Sequence, residues 1–238
     1  KPEIGTFMRE WVSLYDSKSG ERGIFNRESA IKQAQKNGRR DTLTGIKHHL
    51  TKQPLHYEYG CNPCSEIILR PYQFCNLSEV VIRAEDTEKT LLEKVEMATI
   101  LGTFQATLTD FKYLRKIWKD NTEEERLLGV SLTGIMDSPL LSHESLELED
   151  VLGQLKQVAI DTNKKYAEML GIPQSTAITC VKPSGTVSQL VDSASGIHAR
   201  HNDYYIRTVR GGNTDPITQF MKDAGIPAEP DFSKPDTT

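Results

Sequence analysis

Apolar residues recur along this chain with two different periods. From Leu148 to Leu170 the spacing is three and four, which predicts a helix ended by Gly171 and Pro173. Leu91, Val95, Leu101, Leu108 and Phe111 extend the same period and predict a long helix from Thr87 to about Trp118, capped by Asp86 or Thr87, with its aromatics in the core. Glu28 to Lys36 reads as a shorter helix, and Glu123–Asp137 as another helical stretch in which Gly129 and Gly134 permit close packing. Between these lie short runs rich in β-branched and aromatic residues. Tyr57-Glu58-Tyr59, Ile67-Ile68-Leu69, Val80-Val81-Ile82 and Thr176–Val181 predict extended segments. Residues 1–50 otherwise read as short helices and polar loops, with a helix through Phe7–Val12 and a turn at Ser17–Arg22. Helices alternating with short apolar strands predict an α/β protein with parallel strands.

Composition narrows the function classes. The 238 residues are 37% hydrophobic and 26% charged, an ordinary globular balance. A net charge of −4 gives no basic face for nucleic acid, so any phosphate site has to be local. No apolar run approaches the ~20 residues of a membrane span, and the N-terminus carries no signal-peptide core. A cytoplasmic protein without membrane or nucleic-acid partners is expected. The first residue is Lys1 and the last stretch, Asp236-Thr237-Thr238, holds no capping element. Both ends read as cuts through a longer polypeptide.

Four cysteines carry the candidate chemistry: Cys61, Cys64, Cys75 and Cys180. Without a secretory signal, a cluster of three within fifteen positions points to metal or redox chemistry rather than a disulfide scaffold. Cys61-Asn62-Pro63-Cys64 is formally C-x-x-C, but no second ligand pair stands at zinc spacing, and Cys64 runs into a strand-like segment rather than a redox helix. No metal site is expected, and adjacent His48-His49 point about 100° apart on a helix. On an extended backbone Asn62, Cys64 and Glu66 would face one way. A thiol flanked by an amide and a carboxylate suits sulfur redox or radical chemistry with a nearby proton acceptor. A second constellation follows the strand at Thr176–Val181. Pro183-Ser184-Gly185-Thr186-Val187-Ser188 places small residues and hydroxyls at a helix start, where backbone N–H groups are free for an anion. Taken alone it reads either as a phosphate loop or as plain helix capping; it lacks the Gly-Lys-Ser/Thr ending of a Walker A loop.

The run Asn62-Pro63-Cys64-Ser65-Glu66, followed by Arg70-Pro71-Tyr72-Gln73-Phe74-Cys75-Asn76-Leu77, closely resembles the active-site stretch of ribonucleotide reductase large subunits. The short gap between Cys64 and Cys75 is similar to class II, adenosylcobalamin-dependent enzymes, and the wording through Val81 to the monomeric ribonucleoside-triphosphate reductases. Gly23-Ile24-Phe25-Asn26-Arg27, Lys182 to Gln189, Ser195 to Arg200 and Tyr204-Tyr205-Ile206-Arg207 extend the resemblance over nearly the whole chain.

The resemblance implies a fold and a division of labour. The chain, residues 1–238, would be one catalytic segment, roughly the second half of a ten-stranded α/β barrel around a finger loop. The N-terminal half and the C-terminal tail would be absent, and with them the partner redox cysteine and the reloading cysteine pair. Cys64 matches the thiyl-radical cysteine at the loop tip, and Glu66 the base for the ribose 3′-hydroxyl. Asn62 matches the amide that orients substrate, and Cys75 one of the two reducing thiols. Pro183, Ser184, Gly185, Thr186, Val187 and Ser188 match the substrate phosphate loop. Adenosylcobalamin is the implied cofactor, with no binding residue assigned. A ribonucleotide, triphosphate favoured over diphosphate, is the implied substrate, a thioredoxin-type protein or small dithiol the reductant, and a monomer the favoured state. Cys61 matches no family position, and Cys180 reads as an inert buried thiol. The alternatives are a class I large subunit with a di-iron radical partner, and a non-catalytic phosphate- or zinc-binding module.

Overall fold

Two parallel strands and two long helices pack into one core in the computed structural model, which describes residues 3–18, 23–39, 42–47, 54–56, 59–234 and 236–238. His48-His49, Tyr57-Glu58 and most of the Ser17–Arg22 turn lie outside the described residues. The chain divides into two compact units, Lys1–Ala199 and Arg200–Thr238.

In chain order the first unit holds helices α1 (Ile4–Ser17) and α2 (Arg27–Lys36), then strands β1 (Thr42–Lys47) and β2 (Pro54–His56), paired antiparallel. A short hairpin of β3 (Gly60–Cys61) and β4 (Ile68–Leu69) follows. Then come β5 (Asn76–Val81), α3 (Glu88–Gln105), α4 (Lys116–Glu125), β6 (Leu128–Thr133), α5 (Leu146–Leu170) and the short α6 (Thr186–Leu190). Strand β1 falls where the sequence read as polar loop.

Strands β5 and β6 run parallel, in register from Asn76 opposite Leu128 to Val81 opposite Thr133. The segment after α5 lies along the other edge of β6. Leu128 and Val130 donate to the carbonyls of Ala177 and Ile178, and Cys180 donates back to Val130. The β5–helix–β6–helix–extended order is the α/β arrangement expected from the alternating pattern.

Side-chain alternation gives this sheet two different faces. Val80, Leu128 and Val130 bury against Leu91 and Val95 of α3 and Val151, Leu155 and Ala159 of α5. Each fully buried aliphatic here contributes about 1.5–3 kcal/mol relative to exposure. A polar group of α5 within this layer is paired. Asn163 of α5 donates to the hydroxyls of Thr103 and Ser175 at 3.0 and 3.1 Å and accepts the Ser175 N–H at 2.9 Å. On β5 the alternation turns Cys75, Leu77 and Glu79 to the opposite face, away from the helices.

Three expectations need correction. The helix begun at Thr87 stops at Gln105, and a second one starts at Lys116. Thr87 caps α3 in a reciprocal pair with Thr90, whereas Asp86 ties off the preceding turn through Arg83 and Lys94. At the far end the Thr107 hydroxyl takes the Phe104 carbonyl at 2.7 Å, and Thr109 bonds Glu123, so side chains compete with the helical backbone where apolar spacing alone predicted continuation. Leu101 and Phe104, on an outer side of α3, and Leu108 beyond its end are exposed, and Phe111 and Trp118 pack on Phe74 instead of entering the core.

The second correction is β6, within the stretch read as helical. Leu128, Val130 and Leu132 alternate with Gly129, Ser131 and Thr133, the period of a strand, and Leu128 through Ser131 are all buried. The chain leaves α4 through Arg126 at φ 43° and is extended by Leu128. The third concerns residues 62–66, which form a turn rather than an extended segment. Helix α5 matches its expectation: Ser145 caps its start and Gly171 at φ 65° its end. In the second unit, Asp215 caps α7 (Pro216–Asp223), and Gly212 bridges Thr237.

Candidate active site

The β3–β4 hairpin presents the Cys64 turn. Asn62 closes its base, its N–H reaching the Ile67 carbonyl at 3.4 Å and its side-chain Oδ1 accepting the Ile67 N–H at 3.0 Å. Ser65 donates to the Asn62 carbonyl and takes φ 64°, which reverses the chain after Pro63. Cys64 is exposed on this turn, whereas the Glu66 side chain is 1% exposed. The alternation that would have aimed Asn62, Cys64 and Glu66 in one direction therefore does not hold. The turn separates an outward thiol from an inward carboxylate. Cys61 is half-buried, with its thiol 3.5 Å from the Ser65 hydroxyl.

Below the turn, the helix-free face of the sheet collects sulfur and carboxylate. Burial pushes the Cys75 thiol up to about 11, reinforced by the negative charge of Glu66 and opposed by Lys182 and Arg39. Burial pushes Cys180 up to about 12, with Cys75 and Glu66 acting in the same direction. Cys180 is thus a neighbour of this site rather than a remote core thiol. Gly129 makes room for it: a Cβ there would stand 2.5 Å from a Leu77 methyl, 3.1 Å from the Cys180 sulfur and 3.3 Å from an Ile67 methyl. Both carboxylate oxygens of Glu66, and Oε1 of Glu79, are buried without a hydrogen-bond partner among the described residues. Lys182 Nζ lies 3.9 Å from Glu66 Oε1.

A buried ion network braces this arrangement. Glu125, at the end of α4, takes Arg39 at 2.8 Å and Arg70 at 2.7 Å, all three side chains being essentially closed to solvent. Gln73 donates to Glu125 at 2.6 Å and accepts the Arg70 N–H at 2.9 Å, and Arg39 donates to the Ile68 carbonyl at 2.7 Å. The stretch from the hairpin to Cys75 is held at its middle.

The loop from Pro183 to Ser188 leads into α6. Ser184 is buried and its hydroxyl accepts the Ser188 N–H at 3.0 Å, while the Ser188 hydroxyl donates to the Gly185 carbonyl at 2.9 Å. These two hydroxyls shape the loop. Gly185, Thr186 and Val187 are exposed at its outer side, and first-turn N–H groups have no intrahelical acceptor. Behind the loop, Ser195 donates to the Ser184 carbonyl, and Gly196 donates to the Thr133 hydroxyl at 2.8 Å. Gly196 has φ 55°, and a Cβ there would meet the Lys182 carbonyl at 2.8 Å. Arg83 adds bonds to the carbonyls of Val191 and Asp192. The loop is thereby bolted to the C-terminal ends of β5 and β6.

Among the described residues no three His, Cys, Asp or Glu side chains are grouped to hold a metal ion, and no helix is long and apolar enough to cross a membrane. A cleft of about 710 Å³ lies within the second unit, and none of the site residues predicted from the sequence lines it. Sequence reasoning missed Lys182, Glu79, Cys180 and the Arg39–Arg70–Glu125 network. The parity of β6 and of the segment beside it would have pointed to Cys180, had Glu123–Asp137 been read as a strand.

Comparison with known proteins bears on this sulfur–carboxylate site. The adenosylcobalamin-dependent ribonucleoside-triphosphate reductase of Lactobacillus gasseri is 31% identical over 75% of this chain and 27% of its own length. That of Lacticaseibacillus paracasei is 27% identical over 92% of the chain and 31% of its own length. The crystal structure of a B12-dependent, class II ribonucleotide reductase superposes with a TM-score of 0.57 and 25% identity, over 75% of this chain and 28% of that one. The chain is similar to class II ribonucleotide reductases. It spans about 30% of the length of the curated relatives it matches. No family model matches it. For a cobalamin cofactor, the residue that fits is Cys64, a thiol exposed on a turn and open to a group approaching from outside. No residue of the chain is assigned to the corrin itself.

Proposed function

We propose that this chain is one segment of the catalytic barrel of a class II ribonucleotide reductase, which reduces ribonucleoside triphosphates to 2′-deoxyribonucleotides. In this reading β5, β6 and the segment at 177–180 are wall strands of a ten-stranded barrel, and the β3–β4 hairpin is its finger loop. The observation that carries it is the Glu66 carboxylate, buried without a hydrogen-bond partner beside Cys75 and one turn from the exposed Cys64. Leaving a carboxylate so poorly solvated costs stability, and such a group is characteristic of a site that completes its contacts with substrate.

Adenosylcobalamin supplies, when bound, the radical that oxidises a thiol. Cys64 then carries the thiyl radical and removes the ribose 3′-hydrogen. Glu66 accepts the proton of the 3′-hydroxyl, a role for which a desolvated carboxylate is suited. Asn62 keeps the turn in shape through Ile67, and its amide nitrogen is available to the substrate. Cys75 supplies one of two reducing equivalents, its partner thiol lying in another part of the enzyme. A high thiol pKa keeps Cys75 protonated, so it can deliver a proton together with reducing power. The N–H groups of Gly185, Thr186 and Val187 and the Thr186 hydroxyl take the phosphates, over a scaffold set by Pro183, Ser184 and Ser188. A thioredoxin-type protein or a small dithiol would restore the thiols. Such an enzyme would work in the cytoplasm as a monomer.

The test is turnover of the complete enzyme with each of four ribonucleoside triphosphates and diphosphates, with and without adenosylcobalamin and a dithiol. Deoxynucleoside triphosphate formation that needs the cobalamin is the expected result. Turnover that instead needs a separate iron-containing subunit would favour the class I alternative, and no turnover under any condition would favour the non-catalytic one.

A further inference from the structure

Lys182 is the only cation within ion-pair distance of Glu66 among the described residues, at 3.9 Å. Its neighbours in sequence are the extended segment at 177–180 and the loop Pro183–Ser188, so one residue stands between the base and the phosphate site. Its backbone is fixed from two sides. Cys180 bonds to β6, and Gly196 packs so closely on the Lys182 carbonyl that a Cβ would stand 2.8 Å away. The Lys182 side chain is 24% exposed, while the Glu66 side chain it faces is 1% exposed. The other groups bearing on Glu66 are the protonated thiols Cys75 and Cys180. Glu79 and Arg39 are the further charged groups on this face, acting on Cys180 and Cys75 respectively.

We infer that Lys182 is a positioning residue for Glu66, the counter-ion that holds this buried carboxylate aimed at the substrate. The inference rests on the reading of Glu66 as the base. The two thiols, neutral at physiological pH, offer the buried carboxylate no compensating charge, and Lys182 is the group that does. When the 3′-hydroxyl proton moves to Glu66, the carboxylate becomes neutral and Lys182 keeps its own proton throughout. The ammonium is then left beside the phosphate loop without its counter-charge, where bound substrate phosphate can take over that role.

The experiment is the separate measurement of kcat and KM in the complete enzyme, for the native protein, Lys182→Met, Lys182→Gln, Lys182→Arg and Glu66→Gln. Without the cation, Glu66 should lose its aim at the 3′-hydroxyl. kcat should therefore fall about tenfold or more in the Met and Gln variants, with a smaller change in KM. The Arg variant should restore it. A residue that merely packs, or one that binds only the phosphates, would raise KM and leave kcat where it is, and that result overturns the inference. The Gln variant decides if the Met variant does not fold. Glu66→Gln separates the two levels of the argument: if it turns over normally the assignment of the base has failed, whereas an inactive Glu66→Gln with an unchanged kcat in the Lys182 variants removes the role of Lys182 alone.

Discussion

Arg70 and Glu125 meet at 2.7 Å with both side chains at or below 1% exposure, and this pair ties the segment between Cys64 and Cys75 to the end of α4. Glu125 also pairs with Arg39 at 2.8 Å, so two guanidinium groups share one buried carboxylate. Removing one partner of a buried ion pair leaves uncompensated charge and costs about 3–5 kcal/mol. Glu125→Ala should therefore lower the denaturation midpoint of the complete enzyme sharply, and should speed alkylation of Cys75 as the braced segment loosens. An unchanged midpoint would show that water already reaches the network.

Two glycines of the phosphate region should respond in opposite ways. Gly185 has open space at its Cβ position, so Gly185→Val is compatible with the fold. The added side chain would obstruct approach of phosphates to the backbone. The expected result is a raised KM for the ribonucleotide with little change in stability. At Gly196, φ is 55° and a Cβ would meet the Lys182 carbonyl at 2.8 Å. Gly196→Ala should destabilise by about 1–3 kcal/mol, the cost of a non-glycine residue forced into such a conformation. Thermal denaturation alongside substrate titration checks both, and a stable Gly196→Ala with normal KM would contradict the packing described.

The thiols should differ in reactivity. Cys64 is exposed, whereas burial places the Cys75 and Cys180 thiols at about 11 and about 12. At pH 7 a thiol of pKa 11 is ionised only on the order of one part in ten thousand, and the thiolate is the reactive form. Because these pKa values are raised, the slow thiols gain reactivity only as the pH climbs toward them. Timed iodoacetamide labelling with peptide mass analysis should find Cys64 modified first at neutral pH. Equal labelling of Cys75 would mean that its site is open to water.

The residues of the site were legible as a motif, but their arrangement was not. The spacing from Asn62 to Cys75 marked out the stretch that carries the exposed thiol, the buried carboxylate and the half-buried thiol. The turn itself was hidden, because Ser65 at φ 64° is a choice that tertiary packing makes and propensity does not. Helix α5 was legible because its caps, Ser145 and Gly171, agree with its apolar period. Strand β6 was missed because its period of two, in Leu128, Val130 and Leu132, is only six residues long and was absorbed into the flanking helical pattern from Glu123 to Asp137. The Arg39–Glu125 pair spans 86 residues, and no local pattern announces such a partner.

The central claim is that Cys64 starts the reaction and Cys75 completes the reduction. Its most direct test is product analysis of the complete enzyme carrying Cys64→Ser, Cys75→Ser or Cys61→Ser, measuring deoxynucleotide and free base together. Cys64→Ser should form neither product while still binding substrate, because an O–H bond is too strong to replace the thiol in hydrogen transfer and the change is nearly isosteric. Cys75→Ser should release free base without deoxynucleotide, since the 3′-hydrogen is removed and the intermediate is not reduced. Cys61→Ser should remain active. Deoxynucleotide formation by Cys64→Ser, with loss of activity in Cys61→Ser, would contradict the account and return the chemistry to the Cys61–Cys64 pair.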